Sequence, residues 1–268
     1  MPENNLFAIK KRITAATQTR KITRTMELIA SSRLQRGKIL LANAGQWLKH
    51  MNEAVRILPG SYFETPESES IHSDGDKKKA YIVFGGSKGL SGAYSPNLLQ
   101  YSKPIVDGHI VFAVGSSAEN FFPSAHSVFA DEVPSYEYAI NLAEAAKALL
   151  ESQSAHEIYM IYTQSSKHIT KQLLPLIRPS EYTDQMIIEP SEQVLFPAIF
   201  DEYCATLVYE THLQAFISEQ VARVSAMDSA TKNANEIVED LQATYNRMRQ
   251  TSITQEIITV SNAARGDG

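Results

Sequence analysis

The stretch from Glu192 to Ala264 constrains the fold of this chain more than any other. Between Ala198 and Ala264 it contains no proline and no glycine, the two residues that interrupt helices. About 65 residues at ~1.5 Å each make a helix of roughly 100 Å, whereas a compact domain of this size is about 40 Å across. Steps of three and four residues place one set of positions on a single helical face: Ile217, Val221, Val224, Met227, Ala230, Ala234, Val238, Leu241, Tyr245 and Met248. We therefore predict a helix that leaves the body of the protein and requires a partner.

The other end of the chain supplies a candidate partner, because residues 5–58 also have a helical pattern. The late part steps alternately by three and four, as a coiled-coil seam does: Leu41, Ala44, Leu48, Met51, Val55 and Leu58. Gly37 and Gly45 weaken the helix by about 1 kcal/mol each. We predict an antiparallel coiled coil of the two ends, with Met26 and Ile29 close to the last third of the C-terminal helix. The alternative is two ordinary helices of a globular bundle.

Between the two helices the pattern changes to short apolar runs that alternate with helical segments, which is typical of a Rossmann-like α/β domain. The predicted domains are an N-terminal coiled-coil helix (1–58), a flexible linker (59–79), the α/β domain (80–190) and a C-terminal coiled-coil helix (191–268). Strands are predicted at 80–84, 109–114, 157–162 and 185–188, helices at 96–101, 116–122 and 135–152, and an amphipathic segment at 169–176. Ser135 and Ser191 are suitable N-caps, and Pro197 marks either the start of the long helix or a kink.

The net charge of −5 conceals an asymmetry along the chain. Residues 1–38 carry nine basic and two acidic side chains, a net +7, which leaves −12 for the remainder. A basic helix suits nucleic acid, a membrane surface or an acidic protein partner, or it is a solvated flank of the coil.

No run of eighteen apolar residues and no secretory signal is present, and the lone Cys204 fits a reducing compartment and a packing role.

The segment Gly85–Gly92 is the most enzyme-like part of the chain, because a glycine-rich loop after a strand can bind phosphate. It matches neither the P-loop nor the G-x-G-x-x-G pattern, so we expect a tight structural turn. The seven histidines lack metal-ligand spacing, and no nucleophile-elbow motif occurs. The sequence therefore predicts no catalytic, cofactor-binding or metal-binding residues.

The end of the long helix has a different character. Residues 245–256 are polar on nearly every side, so they require solvent or polar partners. The apolar residues that follow, Ile257, Ile258 and Val260, stand where the tip of a projecting helix is expected. An apolar tip suggests insertion into another protein.

Several motifs together carry a family resemblance. Residues 21–32 (KITRTMELIASS), 226–234 (AMDSATKNA) and 245–256 (YNRMRQTSITQE) resemble the terminal helices of the gamma subunit of F-type ATP synthases. Lys88–Gly92 resembles the D-R-G-L-C-G-G turn of that family, and Gly115-Ser116 and Leu173–Leu176 also fit. Ser87, Lys88, Ser91 and Ala93 replace the usual Asp, Arg, Cys and second Gly of the turn, which leaves open whether this is a mainstream or a divergent member.

The resemblance implies a rotor shaft without catalysis of its own, which turns inside a ring of alpha and beta subunits and couples ion flow through the c-ring to ATP synthesis or hydrolysis. It implies beta-subunit contacts at Arg20, Lys21, Arg24, Met26, Arg249 and Gln250. It also implies an apolar bearing tip at Ile257, Ile258 and Val260 and a c-ring contact at Glu189.

The implied partners are the alpha and beta subunits, an epsilon-type subunit and the c-ring, with no cofactor, no nucleic acid and only indirect membrane association. The implied location is the cytoplasmic face of a bacterial plasma membrane, while the coupling ion, proton or sodium, stays open. The alternatives from the residues themselves are a nucleic-acid-binding coiled coil that uses the basic helix and a nucleotide-binding Rossmann enzyme.

Overall fold

The computed structural model describes residues 2–63, 78–128, 133–177, 189 and 191–266. The chain forms two compact units: residues 1–30 with 224–268, and residues 31–223. Helix α1 spans Pro2–Val55 and helix α5 spans Glu192–Gly266, so the prediction of two long terminal helices is confirmed. The predicted strand at 185–188 and most of the predicted linker lie outside the described residues.

In the first unit, α1 and α5 pair antiparallel. Thr231 of α5 meets Thr23 of α1, with 2.8 Å between the two Oγ1 atoms, and Asn235 meets Arg20. The partner numbers run in opposite directions, which defines the antiparallel pairing. Buried positions on α5 repeat in steps of three and four or their sums, as knobs-into-holes packing requires: Met227, Ala234, Val238 and Ser252.

The predicted register of this pairing is wrong. With Thr23 opposite Thr231, Met26 lies level with the Met227–Asp228 turn, in the middle of α5 and not in its last third. Ile29 is 47% exposed, and its neighbour Ala30 is the buried residue at 1%. The heptad pattern identifies the faces that pair but does not determine which heptads meet.

The second unit contains a five-stranded sheet in the order β3-β2-β1-β4-β5. Its elements are β1 (Lys79–Phe84), α2 (Tyr94–Val106), β2 (Ile110–Val114), α3 (Ser116–Phe121), β3 (His126–Val128), α4 (Tyr136–Glu151), β4 (Glu157–Gln164) and β5 (Lys167–Leu174). Strands β1 to β4 pair in parallel, with Ala80 beside Ile110 and Ile82 beside Met160, and β5 is antiparallel to β4. The predicted α/β domain is therefore present.

The two faces of the sheet are covered by different helices. Alternate residues of β1 point to opposite faces: Ile82 joins the core formed with α4 and α5, and Val83 joins the core formed with α2 and α3. Ser135 caps α4 as predicted, since its Oγ accepts a hydrogen bond from the Tyr138 N–H at 3.3 Å.

The amphipathic segment at 169–176 does not continue the alternation of strands with helices. It is largely strand β5, which returns from β4 through the two-residue turn Ser165-Ser166. Both serines have positive φ, 47° and 68°, the conformation that tight hairpin turns need and that Asn-Gly usually supplies. The short strand β3 was also absent from the predicted elements.

In the second unit α5 buries a face that differs from the predicted one. Val221, assigned to the apolar face, is 48% exposed, while Gln220 and Arg223 are buried.

A Cβ added to Gly37 of α1 would lie 3.1 Å from side-chain atoms of Phe216 and Ile217, so this glycine permits a close approach of the two helices. Pro197 lies inside α5, which starts at Glu192.

Candidate functional site

A basic groove lies along the paired helices of the first unit. Three predicted contact residues, Arg20, Lys21 and Arg24, fall on one side of α1 because they are one, three and four residues apart. The pairing with α5 places Asp228, Thr231, Lys232 and Asn235 on the opposite wall, around a space of about 690 Å³. Four of the lining side chains are cationic and one is a carboxylate.

Hydrogen bonds position the charges of this groove. Arg20 donates to Asn235 Oδ1 at 3.3 Å, and Arg24 donates to both Glu27 oxygens, at 2.8 and 2.9 Å. Lys232 lies 2.7 Å from Asp228, and the hydrogen bond to this carboxylate raises the pKa of the lysine above its ordinary value. With four cationic side chains and one carboxylate along its walls, the groove can receive an acidic segment of a partner.

Sequence reasoning found the α1 wall of this groove but missed its α5 wall. Asp228 and Lys232 are four residues apart and form an ion pair along the helix. That spacing was visible in the sequence, but only the register places the pair beside Arg20 and Arg24. Met26, predicted with this set, does not line the groove and is half-buried.

Arg249 and Gln250 form a separate surface. Both are exposed on α5, and they lie 14 and 15 residues beyond Asn235, roughly 20 Å further along the helix axis. The structure therefore does not bring the two predicted groups of beta-subunit contacts together. They are two patches at different heights on one coil.

The predicted apolar tip is exposed. Ile257, Ile258 and Val260 are 63%, 53% and 69% accessible. The antiparallel register sets Ser252 level with the first residues of α1, so α5 extends past Pro2 over these positions. Three large aliphatic side chains at one helix end, without burial, form a surface suited to a protein partner.

Glu189 is exposed and lies three residues before α5 begins at Glu192, in the second unit. Residues 178–188 and 190 beside it lie outside the described part of the chain. The assignment of Glu189 to a c-ring contact therefore remains a prediction.

The glycine-rich turn between β1 and α2 uses its polar groups internally. The Gly85 N–H donates to Val114 O at 2.9 Å, and the Ser87 N–H points to Glu219 Oε2 at 3.5 Å. A carboxylate thus occupies the position beside the backbone N–H that a phosphate oxygen would need, and it repels an anion. The turn is structural, as expected, and the geometry does not support the nucleotide-binding alternative.

Two further features of the described residues bear on chemistry. None of the described helices has both the length and the apolar character needed to cross a membrane. In the same part of the chain, no three His, Cys, Asp or Glu side chains are placed to hold a metal ion together.

An antiparallel pair of long terminal helices, with a largely parallel α/β domain inserted between them, is the fold of ATP synthase rotor chains. The cryo-EM structure of the Euglena gracilis mitochondrial ATP synthase rotor matches with a TM-score of 0.69 over 94% of this chain and 99% of that chain, at 13% identity. A second Euglena gracilis structure of that synthase, comprising OSCP, F1 and c-ring, matches with a TM-score of 0.71 over 98% of this chain and 95% of that chain, at 12% identity. Both likenesses define the fold.

Sequence comparison identifies the family. The ATP synthase family model matches residues 5–265. The ATP synthase gamma chain of Ruminiclostridium cellulolyticum is 31% identical over 97% of this chain and 98% of its own length. That of Caldanaerobacter subterraneus subsp. tengcongensis is 32% identical over 96% and 98%. The chain belongs to the ATP synthase gamma chain family, and the comparisons give no support to the nucleic-acid alternative.

Proposed function

We propose that this chain is the central-stalk gamma subunit of an F-type ATP synthase, which turns inside a ring of alpha and beta subunits and couples ion flow through a c-ring to ATP synthesis or hydrolysis. The subunit has no catalysis of its own. Its asymmetric surface biases the catalytic sites of the ring differently, which is how a contact shifts the equilibrium among several states. Family membership over nearly the whole chain supports this role.

The observation that carries the proposal is the exposed surface of the coil in the first unit. Its seam is already filled by the pairing of α1 and α5, yet large apolar side chains remain outside it: Phe7 (71%), Ile22 (57%), Leu28 (57%), Ile29 (47%) and Ile237 (51%). Together with the basic groove and the tip at Ile257, they favour a coil that other proteins enclose.

Within this proposal the contacts are divided along the coil. The groove of Arg20, Lys21 and Arg24 meets acidic loops of the beta subunits, and Arg249 and Gln250 form a second polar contact nearer the tip. Ile257, Ile258 and Val260 sit in an apolar sleeve of the ring. Glu189 contacts the polar loops of the c-ring beside an epsilon-type subunit. The complex holds the chain at the cytoplasmic face of a bacterial plasma membrane, without insertion of its own.

Reconstitution with alpha, beta and epsilon-type subunits tests the function. A matched pair of variants tests the groove: Lys21→Glu with Arg24→Glu inside it, and Lys10→Glu with Lys11→Glu on the same helix outside it. Both change the charge by the same amount, so general electrostatic effects are equal. We expect the groove variant to lower ATP turnover of the assembled complex at least tenfold relative to the control.

Two negative results have different meanings. Failure of the unaltered chain to assemble with alpha and beta subunits would overturn the proposed function. Normal assembly with equal turnover of the groove and control variants would overturn only the assignment of the groove.

A further inference from the structure

A buried ion pair on α5 holds the turn that follows β1. Glu219 and Arg223 are one helical turn apart, 4% and 8% exposed, and hydrogen-bonded to each other. Arg223 also donates to the carbonyl oxygens of Lys88 at 2.9 Å and Gly89 at 3.3 Å. The guanidinium thus satisfies several of its donors on a carboxylate and on the backbone of the turn, as a buried arginine must.

Contacts other than those of Arg223 also hold the turn in the α/β domain. Ser116 Oγ donates to Ser87 O at 2.8 Å, and the Ser117 N–H donates to Gly86 O at 3.0 Å. A Cβ on Gly86 would lie 2.4 Å from Ser95 Oγ and 3.4 Å from Glu219 Oε1, so only glycine fits between α2 and α5 at this point. The turn is therefore a firm attachment point for the helix.

Directional bonds restrain α5 in a way that apolar packing does not. Apolar contacts in this unit, such as those of Leu207 and Val208, are non-directional and fix the rotation of a helix about its own axis less strictly than hydrogen bonds do. A buried hydrogen bond from Tyr94 OH to Ala215 O, at 3.0 Å, is a further directional contact of α5. Bonds from Arg223 to two consecutive carbonyls lose their geometry when the helix rolls. A buried ion pair is weak evidence for stability and is better explained by the arrangement that it specifies.

We propose that Glu219 and Arg223 are positioning residues that fix the rotational orientation of α5 against the α/β domain, so that rotation of this domain is delivered to the helix without slip. This role rests on the proposed rotor function and adds a residue-level element to it. The pair contacts no partner subunit in the proposal, and it acts through the turn at Lys88 and Gly89.

The experiment uses the complete ion-translocating complex in sealed vesicles, with ATP hydrolysis and ATP-driven ion uptake measured on one preparation. For Arg223→Met we expect normal or higher hydrolysis and at least a threefold lower ratio of ions moved to ATP hydrolysed. Arg223→Lys should give an intermediate ratio, because one ammonium cannot reproduce the forked contact with two carbonyls and a carboxylate. Lys147→Met is the matched control, since Lys147 pairs with Asp201 and also links α4 to α5, but at the surface.

Arg223→Met leaves the carboxylate of Glu219 buried without a partner. If the chain does not fold for that reason, a second variant tests the proposal. Glu219→Met with Arg223→Met removes both charges and keeps the packing volume. We expect its thermal midpoint to match that of the unaltered chain while its coupling ratio stays low. An unchanged ratio in a folded double variant would overturn the positioning role. Failure of the unaltered chain to couple hydrolysis to ion movement would instead overturn the proposed function.

Discussion

Thr231 Oγ1 donates a hydrogen bond to Thr23 Oγ1 over 2.8 Å, between residues 208 positions apart in the chain. Each hydroxyl also lies near a carbonyl of its own helix, Met227 O at 2.8 Å and Arg20 O at 3.1 Å. Thr23 is only 8% exposed, so this polar pair sits in the seam of the coil. It aligns the two helices where the rest of the seam is made of interchangeable apolar and small residues.

The first prediction concerns this pair. Thr231→Val should destabilise the local pairing by about 1 kcal/mol, because it removes a buried hydrogen bond. Hydrogen exchange of peptides covering residues 224–238 should report a correspondingly faster opening. Thr244→Val is the control: its hydroxyl also bonds a carbonyl four residues earlier, Asp240 O at 2.9 Å, but on an exposed surface. Equal exchange in the two variants would show that the cross-helix bond contributes nothing.

The two glycines of α1 give a second prediction. Gly45 has nothing within 4 Å of an added Cβ, whereas Gly37 has Phe216 and Ile217 at 3.1 Å. Gly45→Ala should therefore raise the free energy of unfolding by up to about 1 kcal/mol, the helix-propensity gain. Gly37→Ala should gain less or lose stability, because neighbouring side chains must move. Thermal and urea unfolding of both variants check this, and a larger gain for Gly37→Ala would contradict the close approach.

Cys204 gives a prediction about pH. Burial raises the pKa of its thiol from 9.0 to about 12. Between pH 9 and 10 the unfolded chain loses this proton and the folded chain keeps it, so the contribution is fully present below pH 9 and falls as pH rises. The expected loss is about 1.4 kcal/mol per pH unit at most.

Cys204→Ala should flatten this slope even if it lowers stability at every pH. Urea unfolding from pH 8 to 10 measures the slope, and the window avoids most of the titration of Tyr136, whose pKa burial raises to about 12. In the native protein at pH 8, the thiol should also resist alkylation until the chain unfolds. Parallel slopes for the two proteins would contradict the prediction.

Arg249 gives a prediction about turnover. It is exposed and far from the seam, so Arg249→Ala should leave the stability of the isolated chain within about 0.5 kcal/mol. In the assembled complex it should lower steady-state ATP turnover at least tenfold, since a charge-assisted hydrogen bond to a beta-subunit carboxylate contributes about 1.5–3 kcal/mol. Arg247→Ala, also exposed and two residues away on another side of the helix, is the control. Normal turnover in a fully assembled Arg249→Ala complex would show that Arg249 is only solvated.

Local patterns predicted most elements because helix and strand periods are properties of short segments. The long helices, β1, β2, β4 and the Ser135 cap followed from period, propensity and capping. The hairpin of β4 and β5 did not, because Ser165-Ser166 adopts a positive-φ turn without the glycine or asparagine that signals one. Its second strand was then indistinguishable from a short amphipathic segment.

The α1 wall of the basic groove could be predicted from the sequence, but its α5 wall could not. Arg20, Lys21 and Arg24 are close in sequence, so their common face could be seen at once. Their partners on α5 are more than 200 residues away, and a heptad pattern fits several registers equally well. Glu219 and Arg223 were missed because an i, i+4 pair of opposite charge normally reads as a solvated helix surface, and only the packing against Lys88 and Gly89 makes it a buried contact.

The hydrogen bond between Thr23 and Thr231 also determines what happens if the coil slips. A shift by one heptad in either direction would set Thr23 against Val238 or Val224 in place of Thr231, and Arg20 against Gln242 or Asp228 in place of Asn235. Both shifts place the buried Thr23 hydroxyl against an aliphatic side chain and lose its hydrogen bond to Thr231, at a cost of about 1 kcal/mol. The observed alignment of the two helices is therefore favoured over either neighbouring heptad alignment at this point.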